Sequence, residues 1–242
     1  MAKDIERKAL ILGASSDIGI EILKIYLKNK YTILAHYNKG NKKLFDLKKN
    51  FKNRVILYKF NFLNSDKKIN KFIDNNNFKK CSVVINATAH LKEVIYKNVN
   101  TQRLIETFKV NLFPGILLTK KLGPLMNKRK WGRVVNLGSI GVKFGGGRTN
   151  LPYSLSKHAL EFFPSETKQW VKNNVLINTI RVGATNTKLH KKIPSKNLKK
   201  RSALIPMGRM AEPKEIAEYV YYIGSDENTY ISNQVLSISG GE

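Results

Sequence analysis

Short apolar runs alternate with longer amphipathic segments along the chain. The apolar runs are nearly continuous in Val, Ile and Leu, which is typical of parallel strands that are buried on both faces. We predict strands at 9–12, 32–35, 55–58, 82–85, 133–137, 177–182 and 234–238. We predict helices at 18–29, 101–127, 153–173 and 213–224. The alternation of the two predicts an α/β fold.

The expected architecture is a Rossmann-like, doubly wound parallel sheet of about seven strands with helices on both faces. The 242 residues show no linker, repeat or low-complexity boundary, so we expect one domain over 1–242. Cys81 is the only cysteine, and the chain shows no signal peptide and no apolar run of bilayer length. These features predict a cytoplasmic protein.

The chain is strongly basic, with 44 Lys and Arg against 17 Asp and Glu and a formal charge of +27. Nucleic acid, an anionic membrane or an acidic partner could explain this charge. We favour a general lysine bias, because the cations are dispersed and no nucleic-acid recognition motif is present. A basic nucleic-acid-binding protein stays a remote alternative.

Tyr153 and Lys157 are four residues apart, so a helix would place both side chains on one face. A fixed ammonium favours the phenolate and would lower the pKa of the Tyr153 phenol toward neutrality, as acid–base catalysis requires. By itself the pair is more often a helix-surface contact. The rest of the chain decides between the two interpretations.

A glycine-containing turn, residues 13–19, directly follows the first predicted strand and opens a helix. Such a turn lets backbone N–H groups and a helix N-terminus approach a pyrophosphate, which indicates a dinucleotide. The second strand is followed by Lys39, Lys42 and Lys43 and by no acidic residue. A cationic site suits the 2′-phosphate, so we predict NADP(H) in preference to NAD(H). The other interpretation is that these lysines are only solvated surface.

Five segments together resemble the short-chain dehydrogenase/reductase (SDR) family. Residues 13–19 resemble its T-G-x-x-x-G-x-G turn, 109–112 its asparagine helix, 132–139 its G-R-I-V-N-x-x-S strand, 178–187 its N-x-x-x-P-G-x-x-x-T segment, and 239–241 its terminal S-G-G. Tyr153 and Lys157 follow Ser139 at close to the family spacing. The chain differs from the family at Asp17, at Asn61, at 86–90 and at Val182.

The resemblance implies catalytic roles for four residues. Tyr153 would donate a proton to a carbonyl oxygen, and Lys157 would lower the phenol pKa and bind the nicotinamide ribose. Ser139 would hold the carbonyl oxygen, and Asn111 would anchor a water on the path to solvent. The cofactor-binding residues implied are Gly13, Ser15, Ser16, Asp17, Ile18, Gly19, His36, Tyr37, Asn38, Lys39, Asn61, Phe62, Asn86, Ala87, Thr88, Tyr153, Lys157, Val182, Gly183, Thr185 and Thr187; the substrate-binding residues are Ser139, Ile140, Gly141, Arg148, Tyr153 and Gly183. No metal site is expected.

Two variable segments are expected to determine the substrate. One is 141–150; the other is a lid at about 187–205, in which 188–201 holds seven cations and no acid. The lid cations would recognise an anionic substrate or carrier, or they reflect the lysine bias. Basic residues at 128–130 and Lys172 are similarly placed to those that meet the carrier in 3-oxoacyl-acyl-carrier-protein reductases.

This resemblance in layout implies an NADPH-dependent reductase of 3-oxoacyl thioesters, as in fatty acid biosynthesis, with acyl carrier protein as a possible partner. A reductase or dehydrogenase of a sugar, a sugar nucleotide or a small ketone is the alternative. Relatives of the family lead us to expect a homotetramer or homodimer without membrane contact.

Overall fold

The structure is a computed structural model that describes residues 7–191 and 198–242. Within these ranges it has seven strands: β1 (Lys8–Leu12), β2 (Thr32–Tyr37), β3 (Val55–Lys59), β4 (Val83–Asn86), β5 (Gly132–Leu137), β6 (Val175–Val182) and β7 (Val235–Ile238). The α-helices are α1 (Asp17–Lys28), α2 (Lys42–Asn50), α3 (Asp66–Ile73), α4 (Thr101–Asn111), α5 (Phe113–Arg129), α6 (Leu151–Ala159), α7 (Ser165–Trp170), α8 (Lys188–Lys191), α9 (Leu198–Ala203) and α10 (Pro213–Ile223). No helix in the described ranges has the length and apolar character needed to cross a membrane.

All seven strands belong to one parallel sheet with the order β3-β2-β1-β4-β5-β6-β7. The order reverses between β1 and β4, and in doubly wound sheets ligands bind in the crevice outside the strand ends at such a point. The predicted fold class is therefore confirmed, and it places the crevice beside the glycine turn that follows β1.

The two faces of the sheet carry separate apolar cores because alternate residues of each strand point in opposite directions. In β1, Ala9 and Ile11 pack in one core, which α1 and α10 cover, whereas Leu10 and Leu12 pack in the other, which α3 and α5 cover. All four side chains are fully buried. This double burial explains why the strands are continuous apolar runs in the sequence.

Two of the predicted helices are each divided in the structure. The segment predicted as 153–173 forms α6 and α7, because Pro164 lacks an N–H and disfavours helical backbone at the residue before it. The segment predicted as 101–127 forms α4 and α5, which meet at Leu112 two residues before Pro114. Both divisions occur beside a proline that the apolar periodicity does not register.

Helices α2 and α3 were absent from the prediction. Each has fewer than ten residues, and only Leu44 in α2 and Ile69 and Ile73 in α3 are buried, so the apolar pattern is too short to be recognised in the sequence. The N-cap of α2 was the available signal, since Asn41 Oδ1 accepts a hydrogen bond from Leu44 N at 3.0 Å.

Candidate active site

A cavity of about 830 Å³ opens at the carboxyl ends of β1, β4, β5 and β6. Its lining residues come from the turn after β1, the segment after β4, the segment after β5, helix α6, the segment after β6, and the chain around 201–206 and 242. Tyr153 and Lys157 both line it, together with Ser139. The cavity thus joins the glycine turn to the predicted proton-transfer residues.

Tyr153 lies one turn before Lys157 on α6, and both line the cavity with Ser139, which follows β5. Burial raises the pKa of Tyr153 to about 12, and the Ser139 hydroxyl only partly opposes this rise. In the protein without a cofactor the pKa of Tyr153 is raised because desolvation of the phenolate dominates, while the Lys157 ammonium lies 5.8 Å from the ring centroid. The phenol is therefore a protonated donor at neutral pH. That Lys157 together with a charged cofactor ring lowers this pKa stays a prediction.

Lys157 is buried and lies where β4 and β5 end. Its ammonium donates hydrogen bonds to Thr88 O at 2.9 Å and to Leu137 O at 2.7 Å. Burial lowers the pKa of Lys157 to about 7. Two carbonyls use two of the three N–H donors of the ammonium, so one donor remains for a ligand in the cavity that Lys157 lines.

Asn111 joins three elements with its side chain. Its Oδ1 accepts from His90 N at 2.6 Å, and its Nδ2 donates to His90 O at 3.1 Å and to Ser156 Oγ at 2.9 Å. Ser156 in turn donates to Tyr153 O at 2.7 Å. Asn111 thus fixes α6 against α4 and the segment after β4, which orients Tyr153 and Lys157; its predicted role in anchoring a water stays a prediction.

The turn after β1 has the backbone that a dinucleotide site requires. Gly13 has a φ of +74°, and a Cβ there would lie 2.6 Å from Ala87 O, so a larger residue is excluded. Ser16 caps α1 by accepting from Gly19 N at 3.0 Å. The N-terminus of α1 therefore faces the cavity, which residues 15–18 line.

His36, a predicted cofactor contact, instead supports this turn from behind. It is buried, its Nδ1 accepts from Gly13 N at 3.2 Å, and its Nε2 lies 3.1 Å from Phe60 O. Because Nδ1 accepts, the Nε2 tautomer donates to Phe60 O. Burial lowers the pKa of His36 to about 4, so the ring is neutral and acts as a structural bridge.

Asp17 brings a carboxylate into the turn where the family pattern has glycine. Its Oδ2 accepts from Lys188 N at 2.7 Å, so the first residue of α1 contacts the first residue of α8. The carboxylate also lines the cavity. A negative charge at this helix N-terminus occupies a position that would otherwise favour a phosphate.

The other predicted residues divide into two groups. Those that line the cavity are Ser15, Ser16, Ile18, Ala87, Thr88, Ile140, Gly141, Val182, Gly183, Thr185 and Thr187. Those that do not line it are Gly13, Gly19, Tyr37, Asn38, Lys39, Asn61, Phe62, Asn86 and Arg148. Asn61 instead accepts from Leu63 N at 3.0 Å, and Phe62 is buried against His36.

Arg148 is exposed and does not line the cavity, although its neighbour Gly147 does, so its contact with substrate stays a prediction. Residues 192–197 of the predicted lid lie outside the described residues. Phe144, Asn150, Leu189, Arg201 and Leu204 line the cavity from within the two segments that were predicted to determine the substrate. Leu91, Pro206 and Glu242 also line it and were not predicted. The signal for Glu242 was its position directly after the terminal S-G-G.

The geometry fits a dinucleotide. The Gly13 turn and the N-terminus of α1 lie together where the strand order of the sheet reverses. The cavity extends from there to Tyr153 and Ser139. A bound nicotinamide would lie near Lys157 and the segment after β6. The residues present thus satisfy the requirements of such a group.

Comparison with known proteins agrees with this geometry. The model of a family described as "Enoyl-(Acyl carrier protein) reductase" matches residues 13–242. The 3-oxoacyl-(acyl-carrier-protein) reductase FabG of Thermotoga maritima is 27% identical over 241 residues, which cover 96% of each chain. The acetoacetyl-CoA reductase of an Acinetobacter species is 26% identical over 243 residues, covering 98% of this chain and 97% of the relative.

Among solved structures, a 3-oxoacyl (acyl-carrier-protein) reductase from Agrobacterium tumefaciens C58 with NADP bound superposes with a TM-score of 0.85. It shares 18% sequence identity, and the match covers 98% of this chain and 94% of that one. At this identity the likeness establishes the fold alone.

Proposed function

This chain belongs to the short-chain dehydrogenase/reductase family of oxidoreductases, and from that membership we propose that it reduces a 3-oxoacyl thioester to the 3-hydroxyacyl thioester with NADPH. The observation that carries the proposal is the convergence of Tyr153, Ser139 and Lys157 on the wall of one cavity. These groups can hold a carbonyl oxygen and protonate it.

The proposed reaction uses the donors at the strand ends. When bound, the dihydronicotinamide supplies a hydride to the carbonyl carbon. The C=O π electron pair moves onto the carbonyl oxygen, which takes the proton of Tyr153. Ser139 donates a hydrogen bond to the same oxygen, where negative charge develops. Lys157, through its remaining N–H, would bind the ribose and stabilise the resulting phenolate. The phenolate is then reprotonated from solvent.

The preference for NADPH rests on the segment after β2. Ser15 Oγ donates to Lys39 O at 2.8 Å, which ties the basic segment to the nucleotide turn. Lys42 and Lys43 are exposed in the first turn of α2, where a cation is unfavourable for the helix dipole unless an anion lies nearby. A 2′-phosphate would supply such an anion, and residues 38–43 contain no acidic side chain; the first one in α2 is Asp46, one turn further along.

An acidic carrier is the proposed macromolecular partner. Of the basic residues at 128–130, Arg129 is committed to the fold, since it donates to Lys79 O at 2.8 Å and to Cys81 O at 2.7 Å. Lys128, Lys130 and Lys172 are therefore the residues proposed to meet the carrier. Their contribution would be chiefly to the association rate and its salt dependence.

We further propose assembly through α4 and α5. Ile105 on α4 and Phe113 and Ile116 on α5 are all exposed although they are large and apolar. Exposed apolar side chains clustered on neighbouring helices are typical of subunit interfaces. Sedimentation analysis of the wild type against Ile116→Glu would test this, with dissociation expected for the variant.

Reduction of acetoacetyl thioesters tests the function. We expect NADPH oxidation on mixing protein, NADPH and acetoacetyl-CoA, and a higher kcat/KM with NADPH than with NADH. Tyr153→Phe, assayed in parallel, excludes a contaminating reductase. No thioester reduction at high protein concentration, alongside reduction of sugars or small ketones, would replace the thioester with that other carbonyl class.

A further inference from the structure

The turn at Gly240 and Gly241 places the next side chain in the cavity wall. Both glycines have positive φ, +67° and +101°, and a Cβ on either would lie 2.8 Å from a side-chain atom of Ile205 or Pro206. Met207 N also donates to Gly240 O at 3.0 Å. The turn is therefore packed closely against 205–207, and Glu242 follows it.

Glu242 pairs with Arg201 of α9 through Oε1. The Glu242 side chain is only 8% exposed, against 23% for Arg201, and both line the cavity. The second oxygen, Oε2, is buried and has no hydrogen-bond partner among the described residues. An unsatisfied buried acceptor is costly, and the cost is larger for a charged group.

We infer that Glu242, held in place by Arg201, determines substrate specificity by accepting a hydrogen bond through Oε2 from a neutral hydroxyl or amide N–H on the part of the substrate outside the reacting carbonyl. The inference deepens the proposed function and rests on it for the choice of thioester. Arg201 and Glu242 balance each other's charge, so the pair offers an acceptor rather than a net positive charge. An anionic group here would be placed next to a carboxylate oxygen.

This assignment changes the expectation for the lid. The sequence left two interpretations of its cations, Arg201 among them: recognition of an anion, or the lysine bias of the chain. In the structure Arg201 is neutralised by Glu242, and the available group is an acceptor. A thioester whose arm contains an amide N–H would satisfy it, whereas an alkyl thioester would leave Oε2 unpaired; sites with buried polar groups reject substrates that cannot pair with them.

Two matched thioesters test the inference: the N-acetylcysteamine thioester of acetoacetate, which carries an amide N–H, and its S-butyl thioester, which does not. For the wild type we expect kcat/KM about tenfold higher for the amide-bearing substrate, mainly through KM. In Glu242→Met the ratio should fall close to one, because neither substrate then meets an acceptor at this position. Glu242→Gln keeps an acceptor and should give an intermediate ratio.

Glu218→Gln is the matched control, because Glu218 is exposed on α10 and pairs only with Lys214 at 3.6 Å. It should leave the ratio unchanged. Binding can also be compared without turnover. Ligand-observed NMR gives the dissociation constants of both thioesters for Tyr153→Phe and for the double variant with Glu242→Met, each with NADPH bound. The inference would be overturned if the two thioesters bind equally well when Glu242 is present, or if Glu242→Met weakens the binding of both equally.

A failure of the proposed function gives a different result from a failure of the inference about Glu242. If neither thioester is bound or reduced, the thioester proposal is wrong. The role of Glu242 is then tested with two ketones, 4-hydroxy-2-butanone, which carries a hydroxyl donor, and 2-pentanone, which does not. A preference for the hydroxyketone that Glu242→Met abolishes would support the role of Glu242. Equal reduction of the two ketones would refute it.

Discussion

Two buried cations lie at opposite ends of β5, and their surroundings differ. Arg133 at the start of the strand makes five hydrogen bonds, to Gly132 O, Asn174 O, Asn174 Oδ1, Ser225 O and Asn228 O, and stacks 4.6 Å from the centre of the Trp131 ring. The Lys157 ammonium lies at the end of the strand and, among the residues that the structure describes, donates hydrogen bonds to two carbonyls, those of Thr88 and Leu137.

The difference separates a structural cation from a functional one. Desolvation lowers the pKa of Arg133 only to about 10, so it stays charged at neutral pH with its donors satisfied. Burial lowers the pKa of Lys157 to about 7, and one of its donors is free of the two carbonyls. The amino end of the sheet is thus rigidly closed, whereas the carboxyl end keeps a hydrogen-bonding capacity for a ligand.

Removing the phenol hydroxyl should have the largest effect at the carboxyl end. Tyr153→Phe is expected to lower kcat by about 10³-fold, because it deletes the proton donor to the carbonyl oxygen. NADPH affinity, measured by fluorescence titration, should be unchanged within about twofold. Near-normal turnover with intact NADPH binding would contradict the assignment of Tyr153.

Disrupting the amino end should affect stability instead. Arg133→Met leaves carbonyls of β5, of the segment before β6 and of the segment after α10 without their donor, so we expect a loss of about 3–5 kcal/mol in the free energy of unfolding. Urea denaturation measures this, and kcat/KM per folded molecule should be retained. Arg133→Lys keeps the charge without the planar fork and should recover only part of the loss; full recovery would show that charge alone matters.

The two ends also differ in how far the sequence predicted them. Continuous apolar runs and the spacing of Ser139, Tyr153 and Lys157 predicted the sheet and the residues that meet at its carboxyl end. The role of Arg133 was not predicted, because its partners come from 174, 225 and 228, which no local pattern connects to it.

Burial and packing determine the features that the sequence did not predict. Whether His36 faces a ligand or supports the turn depends on side-chain direction, which spacing does not give. The direction of the Tyr153 pKa depends on desolvation, which is a property of the packed cavity. The Arg201–Glu242 pair joins residues 41 positions apart and follows from packing of the terminal turn.

The charge of Lys157 should make the stability of the wild type depend on pH. Its pKa in the folded state, about 7, lies below the ordinary 10.5, so between these values the unfolded chain binds more protons and stability rises with pH. Lys157→Met abolishes this pH dependence, so its free energy of unfolding relative to that of the wild type should be roughly 2–4 kcal/mol higher at pH 6 than at pH 9.5. The variant also leaves Thr88 O and Leu137 O without their donor, a loss that does not change with pH.

Urea denaturation of the two proteins without cofactor at pH 6, 8 and 9.5 measures this difference. Lys168→Met, a substitution of an exposed lysine on α7, is the control and should show no pH-dependent difference. A constant difference between Lys157→Met and wild type across this range would mean that Lys157 does not titrate near neutrality.

The smallest expected effect concerns Asp17. Asp17→Asn removes a negative charge from the N-terminus of α1 but keeps an oxygen that can accept from Lys188 N. Because the phosphates of NADPH would no longer meet that charge, we expect the dissociation constant to fall about two- to fivefold at low salt and the gain to shrink at high salt. Glu21→Gln, one turn further along α1 and paired with Lys24, controls for net charge and should change affinity less. Weaker NADPH binding by Asp17→Asn would contradict this expectation. It would mean that the hydrogen bond from Lys188 N to the Asp17 carboxylate holds the turn in the conformation that binds the cofactor.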